Sequence, residues 1–343
     1  MDKNIQNIMK ILITGGAGFI GSAMIRNLIN NEEHQILNID SLSYAGNLEN
    51  IAEVENKHNY IFEKVDISNY IDVLKVFEKF KPNLVMHFAA CSHVDNSIKS
   101  PGDFVLTNII GTYNLLEAFR KIINSSHGFY RFHHISTDEV YGDLGDSDDM
   151  FTELNPYDPS SPYSATKASS DHLVRAWGRT FDLPYTISNC SNNFGPYQHR
   201  EKLIPATIIN ALMGKDILIY GSGMQMRDWL YVDDHVEAIK SIAFGNFENE
   251  TFNIGSRNVL RNKEIINHVC DILNKLHIPK PNNINDFKEL IKYTNDRAGH
   301  DFRYAIDATK IENTFSWRSK YDFNKALYNT VEWYVNNRSW WLK

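Results

Sequence analysis

The glycine cluster Thr14-Gly-Gly-Ala-Gly-Phe-Ile-Gly21 constrains this chain more than any other feature, because it lies between an apolar run and a stretch of helical spacing. Glycines at 15, 18 and 21 give a GxxGxxG pattern. Directly after a strand, such glycines let the backbone turn tightly and come close to a pyrophosphate at a helix N-terminus. A glycine cluster alone also fits a plain turn, so its setting decides. The run Lys10 to Thr14 reads as a strand and Ser22 to Asn30 as the following helix. A second strand, Gln35 to Asp40, ends in an acidic residue where a carboxylate would bond the ribose hydroxyls of an adenosine. Nothing basic follows Asp40 until well past Asn50. A 2′-phosphate there would meet a carboxylate with no cation beside it, so the expected cofactor is NAD and not NADP.

Further short apolar runs, Tyr60 to Val65, Leu84 to Phe88 and Phe132 to Ser136, read as buried strands. Tyr70 to Phe80 and Asn108 to Ile123 have helical spacing between them. Strands alternating with helices imply right-handed crossovers and a parallel sheet. The expected fold is α/β, a Rossmann-type doubly wound parallel sheet with a smaller α/β substrate-binding domain. The expected boundaries are 1–190 for the cofactor domain, with 228–256 returning to it, and 191–343 mainly for the sugar-nucleotide domain. Pro279 to Asn285 reads as a loop, and the aromatic run around Trp333, Tyr334, Trp340 and Trp341 as a terminal helix packing its apolar face.

A formal charge of −7 over 343 residues argues against a nucleic-acid binder, since phosphate backbones are gripped by clustered Lys and Arg. It leaves room for a small anionic substrate in a locally basic pocket. Three scattered cysteines, Cys91, Cys190 and Cys270, form no disulfide or zinc pattern and fit a reducing compartment. The apolar run Ile11 to Thr14 is far too short for a signal sequence or a membrane span. The expected location is the cytoplasm, with no membrane partner. No HExxH or spaced carboxylate cluster calls for a metal, and His87 inside an apolar strand reads as a core residue.

Tyr163-Ser-Ala-Thr-Lys167 opens a helical stretch after Pro159 and Pro162, placing Tyr163 and Lys167 on one face. A nearby ammonium, together with a positive nicotinamide ring, would lower the phenol's pKa and let it accept a proton from a sugar hydroxyl. Ser136-Thr-Asp-Glu-Val-Tyr-Gly142 falls where a fifth parallel strand should end, the edge at which such sheets bind ligands. Asp138 and Glu139 there form either a solvated acidic turn or a pair with separated pKa values, one donating a proton and one accepting it.

With these segments in view, the chain resembles the extended short-chain dehydrogenase/reductases, and among them the dTDP-glucose 4,6-dehydratase family. The similarity runs from Ile11 to the end through TGGAGFIG, SYAGN (43–47), SHVD (92–95), STDEVYGD (136–143), SPYSATKASSDHLVRA (161–176), CSNNFGPYQ (190–198), EKLIP (201–205), RDWLYVDDH (227–235) and DRAGHDFRYAID (296–307). The resemblance implies that Tyr163, supported by Lys167, deprotonates the C4 hydroxyl while hydride passes to NAD and Thr137 bonds the C4 oxygen. Glu139 would then take the C5 proton, Asp138 would protonate the departing C6 hydroxyl, and the hydride would return to C6.

The same resemblance implies that Gly15, Gly18, Phe19, Ile20 and Gly21 cradle NAD beside Asp40, that Asp66 and Ile67 flank adenine, and that Phe88, Ala89, Ala90, Thr107, Tyr163, Lys167 and Asn193 complete the cofactor site. Ser92, Thr137, Asn192, Lys202, Leu203, Arg227, Asn262, Arg297 and His300 would hold the sugar nucleotide. A diphosphate needs cations and amide donors, which suits Arg227 and Arg297. Arg227 beside Asp228 also reads as a surface ion pair, and His300 as a loop residue. The chain departs from the family pattern at Cys91, where Glu is usual, at Asn96 for Arg, and at Arg200 and Ala298 for Pro. Helices near 101–124 and 163–181 carry apolar residues on more than one face, which fits the family's homodimer and also fits burial within one subunit.

Other readings stay on the same fold: a dehydratase of UDP-glucose or UDP-N-acetylglucosamine, an NDP-hexose 4-epimerase, or a UDP-glucuronate decarboxylase. An epimerase has no use for an acid and a base at C5 and C6. A decarboxylase must recognise a sugar carboxylate, for which there is no clear sign here. A non-catalytic NAD-binding protein would have lost Thr137, Asp138, Glu139, Tyr163 or Lys167, all of which are present.

Overall fold

The computed structural model describes residues 9–31, 34–123 and 128–342. Along the chain, β1 (Lys10–Thr14) leads into α1 (Phe19–Leu28), and β2 (Gln35–Asp40) is followed by β3 (Tyr60–Lys64) and α2 (Tyr70–Phe80). After β4 (Leu84–His87) come the short α3 (Val94–Lys99) and α4 (Pro101–Phe104), a π-helical turn over Val105–Ile110, and α5 (Gly111–Ile123). Then follow β5 (Arg131–Thr137), the long α6 (Pro162–Phe181), β6 (Tyr185–Cys190) and β7 (Asn192–Phe194). The later chain holds α7 (Leu203–Met213), β8 (Ile217–Tyr220), β9 (Met226–Tyr231), α8 (Val232–Phe244), β10 (Glu250–Ile254), β11 (Val259–Arg261) and α9 (Asn262–Lys275). It ends with β12 (Ile291–Thr294), α10 (Thr309–Phe315), α11 (Phe323–Asn336) and α12 (Arg338–Trp341).

Seven strands form one sheet in the order β10-β6-β5-β4-β1-β2-β3, with every neighbouring pair parallel. Alternation along β1 explains why its whole run is apolar. Ile11 and Ile13 enter one core with residues of α1 and α8, while Leu12 enters the opposite core with residues of α2 and α5. Strand order reverses at β1, which lies between β4 and β2, so a crevice opens beyond the carboxyl ends of these strands. This is the Rossmann-type α/β fold expected from the sequence.

The second layer system is smaller. β11, β9 and β7 make a three-stranded sheet, β12 pairs with β8, and α7, α9 and α11 enclose a core containing Ile208, Val269 and Leu327. The chain crosses between the two regions. β10 pairs with β6 in the large sheet, and Leu230, Val232, Ile254, Ile311 and Trp317 all join the core beside β1. No described helix is long and apolar enough to cross a membrane.

Helix ends follow local chemistry. The Asn69 side chain accepts from the amides of Ile71 and Asp72, starting α2 at Tyr70, and Lys81 closes it in a left-handed conformation. Ser161 and Ser164 form a reciprocal cap at the start of α6, with Pro162 in the first position where no amide is needed.

Some strand ends shift by a residue from the sequence reading, and several helical regions differ more. α1 begins at Phe19 because Gly18 already serves as its N-cap. The helix expected from Asn108 is regular only from Gly111, since Val105–Ile110 is π-helical. The Pro279 to Asn285 loop contains a single turn at Pro281–Asn283, fastened by Asn282 Nδ2 donating to Gly214 O. The terminal aromatic helix is broken at Asn337, whose side chain donates back to Trp333 O at 2.8 Å.

Candidate active site

A cavity of about 780 Å³ opens beyond β1, β2 and β4, bounded by the glycine loop, the end of β5 and the start of α6. Gly15 adopts φ +71°, and a Cβ there would lie 2.7 Å from Ala89 N and Cα, so only glycine fits. A Cβ on Gly21 would collide with Gly15 O. The loop is held from outside: Gly16 N donates to Asn38 Oδ1 and Ala17 N to Asp40 Oδ2. Gly18 caps α1 without a side chain, so a flat backbone approach to the helix N-terminus is left for an anion. Asp40 also accepts from Leu42 N, and burial raises its pKa against those two backbone bonds.

Gly15, Gly18, Phe19, Ile20, Gly21, Asp40, Asp66, Ile67, Phe88, Ala89, Ala90, Thr107, Tyr163, Lys167 and Asn193 all line this one cavity. Glycines with no room for a side chain, an acidic residue at the end of β2 and an apolar floor fit a dinucleotide. The floor is fixed by a buried relay. Ala89 N donates to Thr14 Oγ1, which lies 2.8 Å from His87 Nδ1, and His87 Nε2 lies 2.9 Å from Thr112 Oγ1. His87 is therefore a structural hub whose pKa burial holds well below 6.5, with His134 and Lys167 adding repulsion.

Thr137, Asp138, Glu139, Tyr163 and Lys167 meet on the same wall. Thr137 Oγ1 donates to Asp138 Oδ1 and accepts from Glu139 N, both at 3.3 Å. Asp138 is 1% exposed and its Oδ2 has no hydrogen-bond partner. Burial first, then the charges of Glu139 and Asp228, push this carboxyl well above the usual range, the direction that favours its protonated form. Glu139 is raised by burial too, but Arg297, Arg227 and Lys202 act against the rise. The solvated acidic turn is thus excluded, and the two carboxyls are driven apart by their surroundings.

The expected lowering of the Tyr163 pKa is not what the protein's own groups produce. Burial, then Glu139 and Cys190, raise it well above 10, with only a hydrogen bond to Thr137 opposing. The Lys167 ammonium donates to Ile135 O at 2.7 Å. Burial brings Lys167 down from 10.5 to about 8.

Ser92, Asn192 and Lys202 lie on the cavity wall, whereas Leu203, Arg227, Asn262, Arg297 and His300 do not line it. Lys202 Nζ donates to Ser92 O at 2.8 Å, and Asn192 Oδ1 is buried without a partner. Arg227 and Asp228 are not a surface ion pair. Both are buried, and as strand neighbours they point to opposite faces. Arg227 donates to the carbonyls of Met226, Asp301 and Phe302, while Asp228 accepts from Ser256 and Asn258. Arg297 pairs with Asp95 at 3.5 Å, and His300 with Asp296. Leu203 and Asn262 begin α7 and α9.

Sequence reasoning missed Asn38, Tyr44, Cys190 and Glu201. Asn38 is fully buried and holds the glycine loop, with no motif to mark it. Tyr44, set edge-on to His199 at 5.7 Å, and Glu201 line the mouth; SYAGN and EKLIP contained them without suggesting partners. Cys190 ends β6 against Ser136 O. Burial raises the Cys91 thiol, so it stays protonated, and Asn108 holds its backbone at both N and O. Nothing in the structure explains Cys91 in place of Glu.

A doubly wound parallel sheet, a glycine loop after its first strand and a Tyr-x-x-x-Lys helix facing the same crevice define an extended short-chain dehydrogenase/reductase. The model of the family described as GDP-mannose 4,6 dehydratase matches residues 12–330. The dTDP-glucose 4,6-dehydratase of Neisseria meningitidis serogroup B is 52% identical over 97% of this chain and 95% of its own. That of Escherichia coli K12 is 49% identical over 97% and 94%. The crystal structure of the Bacillus anthracis dTDP-glucose 4,6-dehydratase in complex with NAD superposes with a TM-score of 0.86 at 40% identity, covering 97% of this chain and 99% of that one. The chain belongs to this family of nucleotide-sugar dehydratases, and within it to the dTDP-glucose 4,6-dehydratases.

Proposed function

We propose that this chain is a hydro-lyase that removes water from dTDP-glucose to give the 4-keto-6-deoxy sugar nucleotide, with NAD as a recycled cofactor. One observation carries the reading: a buried Asp138, its pKa raised, and a cation-flanked Glu139 share a cavity wall with Tyr163 and Lys167. An epimerase needs only the Tyr–Lys pair. Relatives of about half identity bearing the dTDP-glucose name support the substrate.

When bound, NAD takes up the C4 hydrogen as hydride and later gives it to C6. Gly15, Gly18, Phe19, Ile20 and Gly21 would cradle its pyrophosphate, Asp40 its ribose, and Asp66 and Ile67 its adenine, with Phe88, Ala89, Ala90, Thr107 and Asn193 around the rest. Tyr163 receives the C4 hydroxyl proton while Thr137 bonds that oxygen and Lys167 steadies the phenolate. The ketone acidifies the C5 hydrogen; Glu139 removes it as a proton and gives a proton back to C5 when C6 has regained hydride. Asp138 gives its proton to the C6 hydroxyl, which leaves as water. Ser92, Asn192 and Lys202 would meet the sugar nucleotide first. Leu203, Arg227, Asn262, Arg297 and His300 would complete the site, which the charges of Arg227 and Arg297 acting on Glu139 support.

The division of labour we assign is 1–190 with 228–256 for the cofactor, and the rest of 191–343 for the sugar nucleotide. We assign a homodimer through the α5–α6 face, supported by exposed Val105, Ile110, Tyr113 and Phe181 there. A cytoplasmic location is supported by three unpaired cysteines.

Purified protein incubated separately with dTDP-glucose, UDP-glucose and UDP-N-acetylglucosamine, with products weighed by mass spectrometry, tests the reading. Loss of one water from dTDP-glucose without net NADH is the expected result. Loss from a UDP-sugar alone overturns the substrate, and a product of unchanged mass overturns the reaction.

A further inference from the structure

Beneath the catalytic wall lies a fully buried carboxylate with no part in the chemistry above. Asp171 is 0% exposed and sits on α6 one turn beyond Lys167, on the same face. Its Oδ2 accepts from Ser136 Oγ at 2.9 Å and from Tyr157 OH at 2.8 Å, and its Oδ1 lies 3.1 Å from His134 Nε2. Ser136 and His134 are alternate residues of β5, so both point from the strand toward α6. Ile135, between them, accepts from the Lys167 ammonium. One carboxylate thus joins the strand that ends at Thr137 to the helix that carries Tyr163 and Lys167.

Charge makes the same connection. The titratable neighbours are Tyr163 and Arg175 on α6, His87 on β4, His134 on β5, Cys190 on β6, and Tyr141 and Tyr157 between β5 and α6. Burial brings His134 down to about 4 and His87 well below 6.5, so both are neutral. It also raises Cys190 and the three tyrosines, which stay protonated. Burial would raise Asp171 as well, but the close approach of His134, whose Nε2 also meets Ser170 Oγ, and the charges of Lys167 and Arg175 outweigh it, so its carboxyl is lowered and ionised. Lys167, Arg175 and Asp171 therefore carry the charge of this group, two cations to one anion.

We propose that Asp171 is the positioning residue for Lys167, fastening α6 to β5 through Ser136 and His134 and supplying the buried counter-charge that keeps the ammonium under Tyr163. The proposal rests on the dehydratase reading, in which Lys167 works as a cation. Removing the anion leaves buried Lys167 and half-buried Arg175 unopposed, and the one that can shed a proton is lysine.

The test is the pH dependence of kcat and KM for dTDP-glucose turnover in wild type, Asp171→Asn, Asp171→Glu and Ser136→Ala. Wild-type activity falls as pH rises through about 8, where Lys167 loses its proton. In Asp171→Asn that limb moves down by about one pH unit, kcat falls and KM changes little; Asp171→Glu, which keeps the charge, moves it back. Ser136→Ala keeps the charge and loosens the tie, so kcat falls with the limb in place. It also serves if Asp171→Asn does not fold, because an unchanged kcat there overturns the fastening. A folded Asp171→Asn with the wild-type limb, even with a lower melting temperature, overturns the counter-charge role. Wild-type failure to turn over dTDP-glucose removes the underlying reading instead.

Discussion

Glu139 and Tyr163 act at different times in the proposed cycle, and that separates their variants. Glu139→Gln removes only the base for C5, so it should bind both ligands and show NADH absorbance in a single turnover while losing dehydration by ~10²–10⁴-fold. Tyr163→Phe should abolish the absorbance as well, because oxidation at C4 never starts. Dehydration by Glu139→Gln at the wild-type rate would place the base elsewhere. The identity of these residues was legible from STDEVYG and YSATK, since strand-end and i, i+4 spacing are local properties. Their protonation was not. Tyr163 is raised by burial and by Glu139, a neighbour supplied by another element. The upward shift of Asp138 comes in part from Asp228, ninety residues further on in β9.

At the scale of elements, α2 was read to its ends because both of its stops are written locally, Asn69 before it and Phe80 before a left-handed Lys81. The π-helical turn at Val105–Ile110 was not legible. There the Asn108 side chain leaves the helix to hold the Cys91 backbone and Thr166 on α6, contacts made across the fold. The central elements also store a pH response. His87 on β4, His133 and His134 on β5, and His235 on α8 are buried and neutral, chiefly through desolvation. Unfolding restores each to about 6.5, so the unfolded chain binds protons that the folded one refuses. Stability should therefore be full above that pH and fall as pH drops from 6.5 toward about 4, the folded value of His134. Each histidine adds up to about 1.4 kcal/mol per pH unit across its window. Thermal melts across that window test this, and a flat melting temperature would contradict it.

For the whole molecule, Val105, Ile110, Tyr113 and Phe181 are exposed apolar side chains on and around α5 and α6 that packing within one subunit leaves uncovered. Ile110→Glu with Tyr113→Glu should convert a dimer to a monomer by sedimentation while leaving the cavity lining untouched; an unchanged mass would move the interface elsewhere. β10 pairs in the large sheet, and α10 and Trp317 join the core beside β1; the few apolar residues of the latter two carry no sign in the sequence of which core receives them. The sequence by itself determined the parallel sheet, the glycine loop and the residue types of the site, because periodicity, glycine spacing and helix capping act over a few residues. Only the tertiary structure decided how deeply Asp138 is buried, what Arg227 holds and where Asp171 points. Those depend on desolvation and charge, which are set by groups that the chain brings together from far apart.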